Sequence, residues 1–112
     1  MAKGDHLGEL EQIVMLAVAQ CGKGAHGAAI HAEIVKATGR DVSLASVYAT
    51  LGRLEKKRLL GASAALGGAE RGGRPRKEFR VTAAGIRELR SSRVSLDRLW
   101  RGLSFDPIGR SR

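Results

Sequence analysis

Residues 43–60 read SLASVYATLGRLEKKRLL, and the spacing of their apolar side chains decides the fold. At 3.6 residues per turn, Leu44, Val47, Tyr48, Leu51, Leu54 and the stem of Arg58 gather on one side, the pattern of a helix that buries one stripe. Ala45, Ser46, Ala49, Thr50, Arg53, Lys56 and Lys57 take the other side, which starts small and uncharged and turns basic toward its end. Ser43 is a good N-cap and fixes where the helix begins. Two readings of the outward face stay open. An amphipathic helix would simply show it to water. A duplex would need this order, because short side chains let the first turns sink into the major groove while later cations reach flanking phosphates.

Working outward toward the start of the chain, Leu10, Ile13, Val14, Ala17, Val18 and Cys21 follow a full helical stripe, which Gly22 ends. A second helix is predicted over about residues 27–38, with Ile30, Ile34 and Ala37 inward and Gly39 as its C′ residue. Residues 40–42 then turn the chain into the Ser43 helix, a helix-turn-helix order that many three-helix bundles share. Toward the end of the chain the period changes. Leu60, Ala62, Ala64 and Leu66 alternate with small residues in a predicted strand, and Phe79 and Val81 alternate with Glu78 and Arg80 in a second. The intervening residues 67–76, GGAERGGRPR, carry paired glycines suited to a hairpin tip. Arg71, Arg74, Arg76, Lys77 and Arg80 crowd this segment, as a solvated surface loop would allow and as a wing against phosphates or a narrow minor groove would require.

Thr82 caps a last predicted helix over residues 83–103, with Ile86, Leu89, Leu96, Leu99, Trp100 and Leu103 apolar and arginines outside. A helix of about 30 Å outruns the core that so small a domain offers, so it is expected to pair with a copy of itself. Leu89, Leu96, Leu99, Trp100 and Leu103 would form that seam, with Trp100 either its buried anchor or one wall of a pocket between subunits. Residues 104–112 read as a basic tail.

The chain of 112 residues carries a formal net charge of +9. Residues 1–52 hold four Lys/Arg against five Asp/Glu, whereas residues 53–112 hold sixteen against six. Such lopsided charge favours a polyanion, either nucleic acid or an anionic membrane surface. The absence of bulky apolar residues opposite a lysine-rich, bilayer-accessible face argues against the membrane. A protein-interaction module without specific DNA binding is the remaining alternative, and binding to a duplex compared with binding to anionic vesicles separates these readings. The lone Cys21 sits on an apolar stripe and reads as a small hydrophobe. With no secretory signal and no apolar run long enough for a membrane span, a cytoplasmic protein is expected. His6, His26 and His31 are the only imidazoles, and the latter two diverge around a helix, so no metal site, cofactor or enzyme chemistry is expected.

Taken together these residues resemble the PadR family of winged-helix transcriptional regulators. The resemblance rests on Ala25-His26-Gly27 with Ile30, on Val47-Tyr48-Ala49-Thr50-Leu51-Gly52-Arg53-Leu54-Glu55, on Arg71-Gly72-Gly73-Arg74-Pro75-Arg76-Lys77 with Phe79, and on Val81-Thr82-Ala83-Ala84-Gly85. Two positions depart from it: members often carry an aromatic where Ala28 stands and a glycine where Arg58 stands. The resemblance implies a mostly α fold with a small β-hairpin. Residues 1–82 would be a winged helix-turn-helix with its wing at about 60–81, and residues 83–103 a single C-terminal dimerisation helix. Some members of the compact subfamily bind planar aromatic compounds between subunits, which would put Trp100 in a ligand pocket. The implied function is that of a homodimeric regulator, by default a repressor, on a two-fold double-stranded DNA operator. Ser46, Thr50 and Arg53 are the candidate base contacts, and Lys56, Lys57, Arg71, Arg74, Arg76, Lys77 and Arg80 the candidate phosphate or minor-groove contacts.

Overall fold

The computed structural model describes residues 7–66 and 75–105. Its elements are α1 (Glu9–Cys21), α2 (Gly27–Thr38), α3 (Leu44–Lys56), β1 (Leu60–Leu66), β2 (Pro75–Val81) and α4 (Ala83–Trp100). Residues 1–6, 67–74 and 106–112, and with them Arg71, Arg74 and most of the expected tail, lie outside the described residues.

Helix α1 opens with Glu9 and Glu11 at its positive end, and the Glu11 carboxylate accepts the Gly8 N–H at 3.0 Å. Its buried stripe is Val14, Met15, Ala17 and Val18. Helix α2 buries Ile30 and Ile34 and ends at Gly39, whose left-handed backbone lets its N–H reach the Val35 carbonyl at 2.9 Å. Ala37, expected inside, instead lines an open groove between α1 and α2 with Ile13 and Leu16.

Ser43 caps α3 by accepting the Ser46 N–H at 3.0 Å. The helix is turned about its axis relative to the sequence reading. Val47, Thr50, Leu51 and Leu54 are buried, Thr50 to 1% exposure, while Tyr48 is 51% exposed and Leu44 also faces outward. The physical reason is that Thr50 can be buried without an orphaned hydroxyl, because its Oγ1 donates to the Ser46 carbonyl at 2.8 Å one turn back. The Tyr48 ring is displaced to the helix edge and lies against Gly27, where any side chain would collide with it.

The exit from α3 passes through Arg58 at φ 64, the left-handed conformation that glycine adopts freely. Arg58 therefore keeps the backbone path expected of a glycine. The strands pair antiparallel from Leu60 opposite Val81 to Leu66 opposite Pro75. Strand β2 thus begins three residues earlier than its alternation suggested, and Arg76 and Lys77 are strand residues rather than loop. Proline is tolerated at a first strand position, which is where Pro75 stands. Phe79 is buried, and its N–H donates to the Ala25 carbonyl at 2.8 Å, pinning the hairpin to the α1–α2 connection.

Val14, Met15, Val18, Ile30, Ile34, Val47, Leu51, Leu54, Leu60 and Phe79 form the core between the first three helices and the hairpin. Each such side chain contributes about 1.5–3 kcal/mol on burial. Helix α4 joins this core only at its start: Gly85 packs on the Leu59 carbonyl and the Met15 side chain, and Leu89 is half-buried. The helix ends at Trp100, earlier than expected, because Arg101 leaves helical geometry and Gly102 adopts φ 78. Leu103 is consequently off the helix, its N–H bonded to the Trp100 carbonyl at 2.9 Å. No helix among the described residues is long and apolar enough to cross a membrane.

Candidate nucleic-acid interface

With Val47, Thr50, Leu51 and Leu54 turned inward, the helical period places Ala45, Ala49, Gly52 and Lys56 along the middle of the outward face of α3, all exposed. This strip is small, uncharged and then cationic, the profile that fits a groove. Ser46 and Arg53 lie along one edge, Tyr48 and Glu55 along the other. Ser46 is exposed and its Oγ accepts from the Ser43 hydroxyl at 3.0 Å, which leaves its own O–H free to donate. Arg53 lies along its helix, donating from Nη2 to Thr50 Oγ1 at 3.1 Å. Thr50 itself is withdrawn from the face. Of the three expected base contacts, Ser46 and Arg53 remain outward, and Thr50 is corrected to an interior residue that supports Arg53.

Two carboxylates that sequence reasoning missed flank this helix. Glu11, whose side chain is only 11% exposed, accepts from Lys57 Nζ at 3.0 Å and lies 4.0 Å from Arg53 Nε. Burial alone would raise its pKa, but the Gly8 N–H, the Lys57 ammonium and the Arg53 guanidinium outweigh that and hold the carboxyl below its ordinary 4.5. On the opposite edge, Glu55 pairs with Lys77 of the wing at 2.8 Å. Lys57 and Lys77, candidate phosphate or minor-groove contacts, are each engaged by a carboxylate of the protein. Among the described residues Lys56 has no such partner.

The pleat divides the remaining wing cations. Lys77, Phe79 and Val81 share the face of β2 turned to the core, where the Lys77 ammonium also lies 5.7 Å from the centre of the Phe79 ring. Arg76 and Arg80 take the other face. The Arg80 guanidinium lies over its cross-strand partner Gly61, in space that a side chain there would fill, and Arg76 sits 3.5 Å from Glu78. The structure therefore joins Ser46, Arg53, Lys56, Lys57 and Lys77 around α3 and sets Arg76 and Arg80 on the far side of the hairpin.

The two described histidines serve the backbone. His26 Nδ1 donates to the Gly24 carbonyl at 2.9 Å and His31 Nε2 to the Val42 carbonyl at 2.7 Å, the latter tying α2 to the turn before α3. Cys21 is half-buried, and burial raises its thiol pKa. Among the described residues no group of His, Cys, Asp and Glu could hold a metal ion. Along α4, Leu96, Leu99 and Trp100 are exposed, Leu99 at 73% and Trp100 at 56%, as is Leu103 beyond it. The Phe105 ring meets Trp100 edge-on with centroids 5.7 Å apart.

The family model described as the transcriptional regulator PadR-like family matches residues 15–91. Among solved structures, the chain is 30% identical to a PadR-family transcriptional regulator from Eggerthella lenta, with a TM-score of 0.63 and coverage of 84% of this chain and 81% of that one. It is 26% identical to a PadR-like transcription factor from Bacteroides fragilis, with a TM-score of 0.66 over 80% of this chain and 82% of that one. A PadR-family transcription regulator from Clostridium difficile, 19% identical, has the same fold at a TM-score of 0.64 over 83% of this chain and 95% of that one. No curated protein matches the chain.

Proposed function

The chain belongs to the PadR-like family of transcriptional regulators, a family of DNA-binding, non-enzymatic proteins, and on that premise we propose that it is a repressor that binds a two-fold operator as a homodimer. The observation that carries this reading is the outward face of α3. Ala45, Ala49 and Gly52 are small enough to admit the helix to a major groove, Ser46 and Arg53 stand at its edge to meet bases, and Lys56 reaches a flanking phosphate. A hydroxyl serves either base type, while Arg53 selects a guanine edge. Arg76 and Arg80 on the outer face of the hairpin would grip backbone to one side of the groove. Arg71 and Arg74 lie in the sequence between the two strands, and a narrow, A/T-rich minor groove is the feature that they would favour.

The second element of the proposal is the dimer. Leu96, Leu99 and Trp100 on α4 and Leu103 beyond it are left exposed by the described chain, and a second copy of α4 would cover them. The Trp100 indole, with Phe105 against its edge, would then offer a flat aromatic surface on which a planar aromatic effector could stack. Such an effector would act by changing the spacing of the two α3 helices. On this reading the protein works in the cytoplasm, where a bacterial chromosome lies.

Selection of bound fragments from random duplex DNA, followed by transcription from a promoter carrying the winning fragment, tests the proposal. Addition of the protein is expected to lower transcript yield. A rise in yield, or selection that enriches no common sequence, overturns it.

A further inference from the structure

Among the described residues the Glu11 carboxylate is the one acidic group that reaches α3 from a distant part of the chain. It is 46 residues from Lys57, nearly buried, and anchored by the Gly8 N–H at 3.0 Å. A chain of contacts leaves it in two directions. One runs to Lys57 Nζ at 3.0 Å; the other crosses 4.0 Å to Arg53 Nε, whose guanidinium then donates to Thr50 Oγ1, which in turn donates to the Ser46 carbonyl. Lys57, Arg53 and, through Arg53, Thr50 are thus linked to one fixed negative charge.

We propose that Glu11 is a positioning residue for base discrimination: it withholds Lys57 from backbone phosphates and fixes the direction of Arg53, so that α3 gives up non-specific grip in return for selectivity. This rests on the reading of Arg53 as a base contact. The physical logic is that a phosphate-bound lysine strengthens binding to every sequence equally, whereas an arginine held in one direction rewards one base edge. A carboxylate beside the interface also repels every duplex alike, which lowers the sequence-independent grip. The carboxyl is held in its charged form at neutral pH, so the restraint is in force under ordinary conditions.

The test measures affinity of the full-length protein for its selected duplex, for the same duplex changed at the guanine assigned to Arg53, and for unrelated DNA, over a range of salt. Glu11→Gln keeps the shape and the Gly8 hydrogen bond but removes the charge. It is expected to bind unrelated DNA several-fold more tightly, to steepen the salt slope by about 0.9 per subunit as Lys57 finds a phosphate, and to lose about tenfold of the preference for guanine. A merely structural role would lower all affinities together and leave the slope alone, and that result overturns the proposal. Lys57→Gln supplies the second arm: with Lys57 already withheld, its removal is expected to leave the slope unchanged, and a slope shallower by about 0.9 per subunit contradicts the proposal. Arg53→Ala separates the two levels. If it abolishes the guanine preference while Glu11→Gln leaves that preference intact, the inference about Glu11 fails; if Arg53→Ala leaves the preference intact, the base-contact reading itself fails.

Discussion

The Thr82 hydroxyl donates to the Arg58 carbonyl at 2.9 Å while accepting the Gly85 N–H at 3.0 Å, so one side chain fastens the exit of α3 to the start of α4. The Thr82 N–H adds a bond to the Leu59 carbonyl at 3.1 Å. The helix whose far end we assign to dimerisation is therefore fastened at its start, through Thr82, to the backbone that follows the reading helix. Replacing Thr82 by valine keeps the volume and loses both hydroxyl bonds. It is expected to cost about 1 kcal/mol in urea-induced unfolding, with Thr82→Ser close to wild type. Unchanged stability in the valine variant would show that the link carries no load.

Arg58 holds a positive φ without being glycine, at a cost of about 1–2 kcal/mol in the folded state. Arg58→Gly relieves that strain but makes the unfolded chain freer, so the net expectation is stabilisation of up to about 1 kcal/mol. Denaturant midpoints of the two proteins check it. A lower midpoint for the glycine variant would mean that the Arg58 side chain stabilises the fold by more than its backbone costs.

Because the pKa of Glu11 is held down in the folded state, the unfolded chain takes up its proton first as the solution is acidified. The stabilising contribution is thus complete above the ordinary carboxyl value of 4.5 and is lost as pH falls through the lowered one. Wild type and Glu11→Gln are expected to differ most in stability near neutral pH and to converge under acid. A gap that stays constant from neutral pH to pH 3 would argue that the charge of Glu11 is not what matters.

Leu99 is 73% exposed and makes no core contact, so Leu99→Glu should leave circular dichroism unchanged. Under the dimer proposal it shifts sedimentation to the mass of one chain and weakens binding to a two-fold duplex, while binding to a single half-site is retained. Sedimentation as a dimer with glutamate at this position would remove Leu99 from the seam.

Much of this architecture is legible in the residues. Ser43, Gly39 and Thr82 mark helix ends by their chemistry, and a count of residues finds most of the α1 and α2 stripes, though it misses the fully buried Met15 and turns Ala37 inward. The orientation of α3 is not legible, because a wheel sorts Tyr48 as apolar and Thr50 as polar. In the folded chain, the Ser46 carbonyl satisfies the buried threonine, and Gly27 makes room for the tyrosine at the edge. The absence of a side chain at Gly27 was the available signal. The carboxylates that restrain the cations escaped for a different reason. Glu11 and Lys57 meet only through packing of α1 on α3, and no local spacing announces contacts between residues so far apart in the chain. Lys77 and Glu55 likewise required knowledge that β2 begins at Pro75, which sets which strand residues face α3.

The central claim is that the outward face of α3 enters the major groove in two copies. Hydroxyl-radical and methylation footprinting of the wild-type protein on its selected duplex tests this most directly. Two protected major-groove windows are expected, centred about 34–36 Å apart, with the guanine assigned to Arg53 inside each. A single window, or protection confined to the minor groove with both major-groove faces open to methylation, would contradict the account.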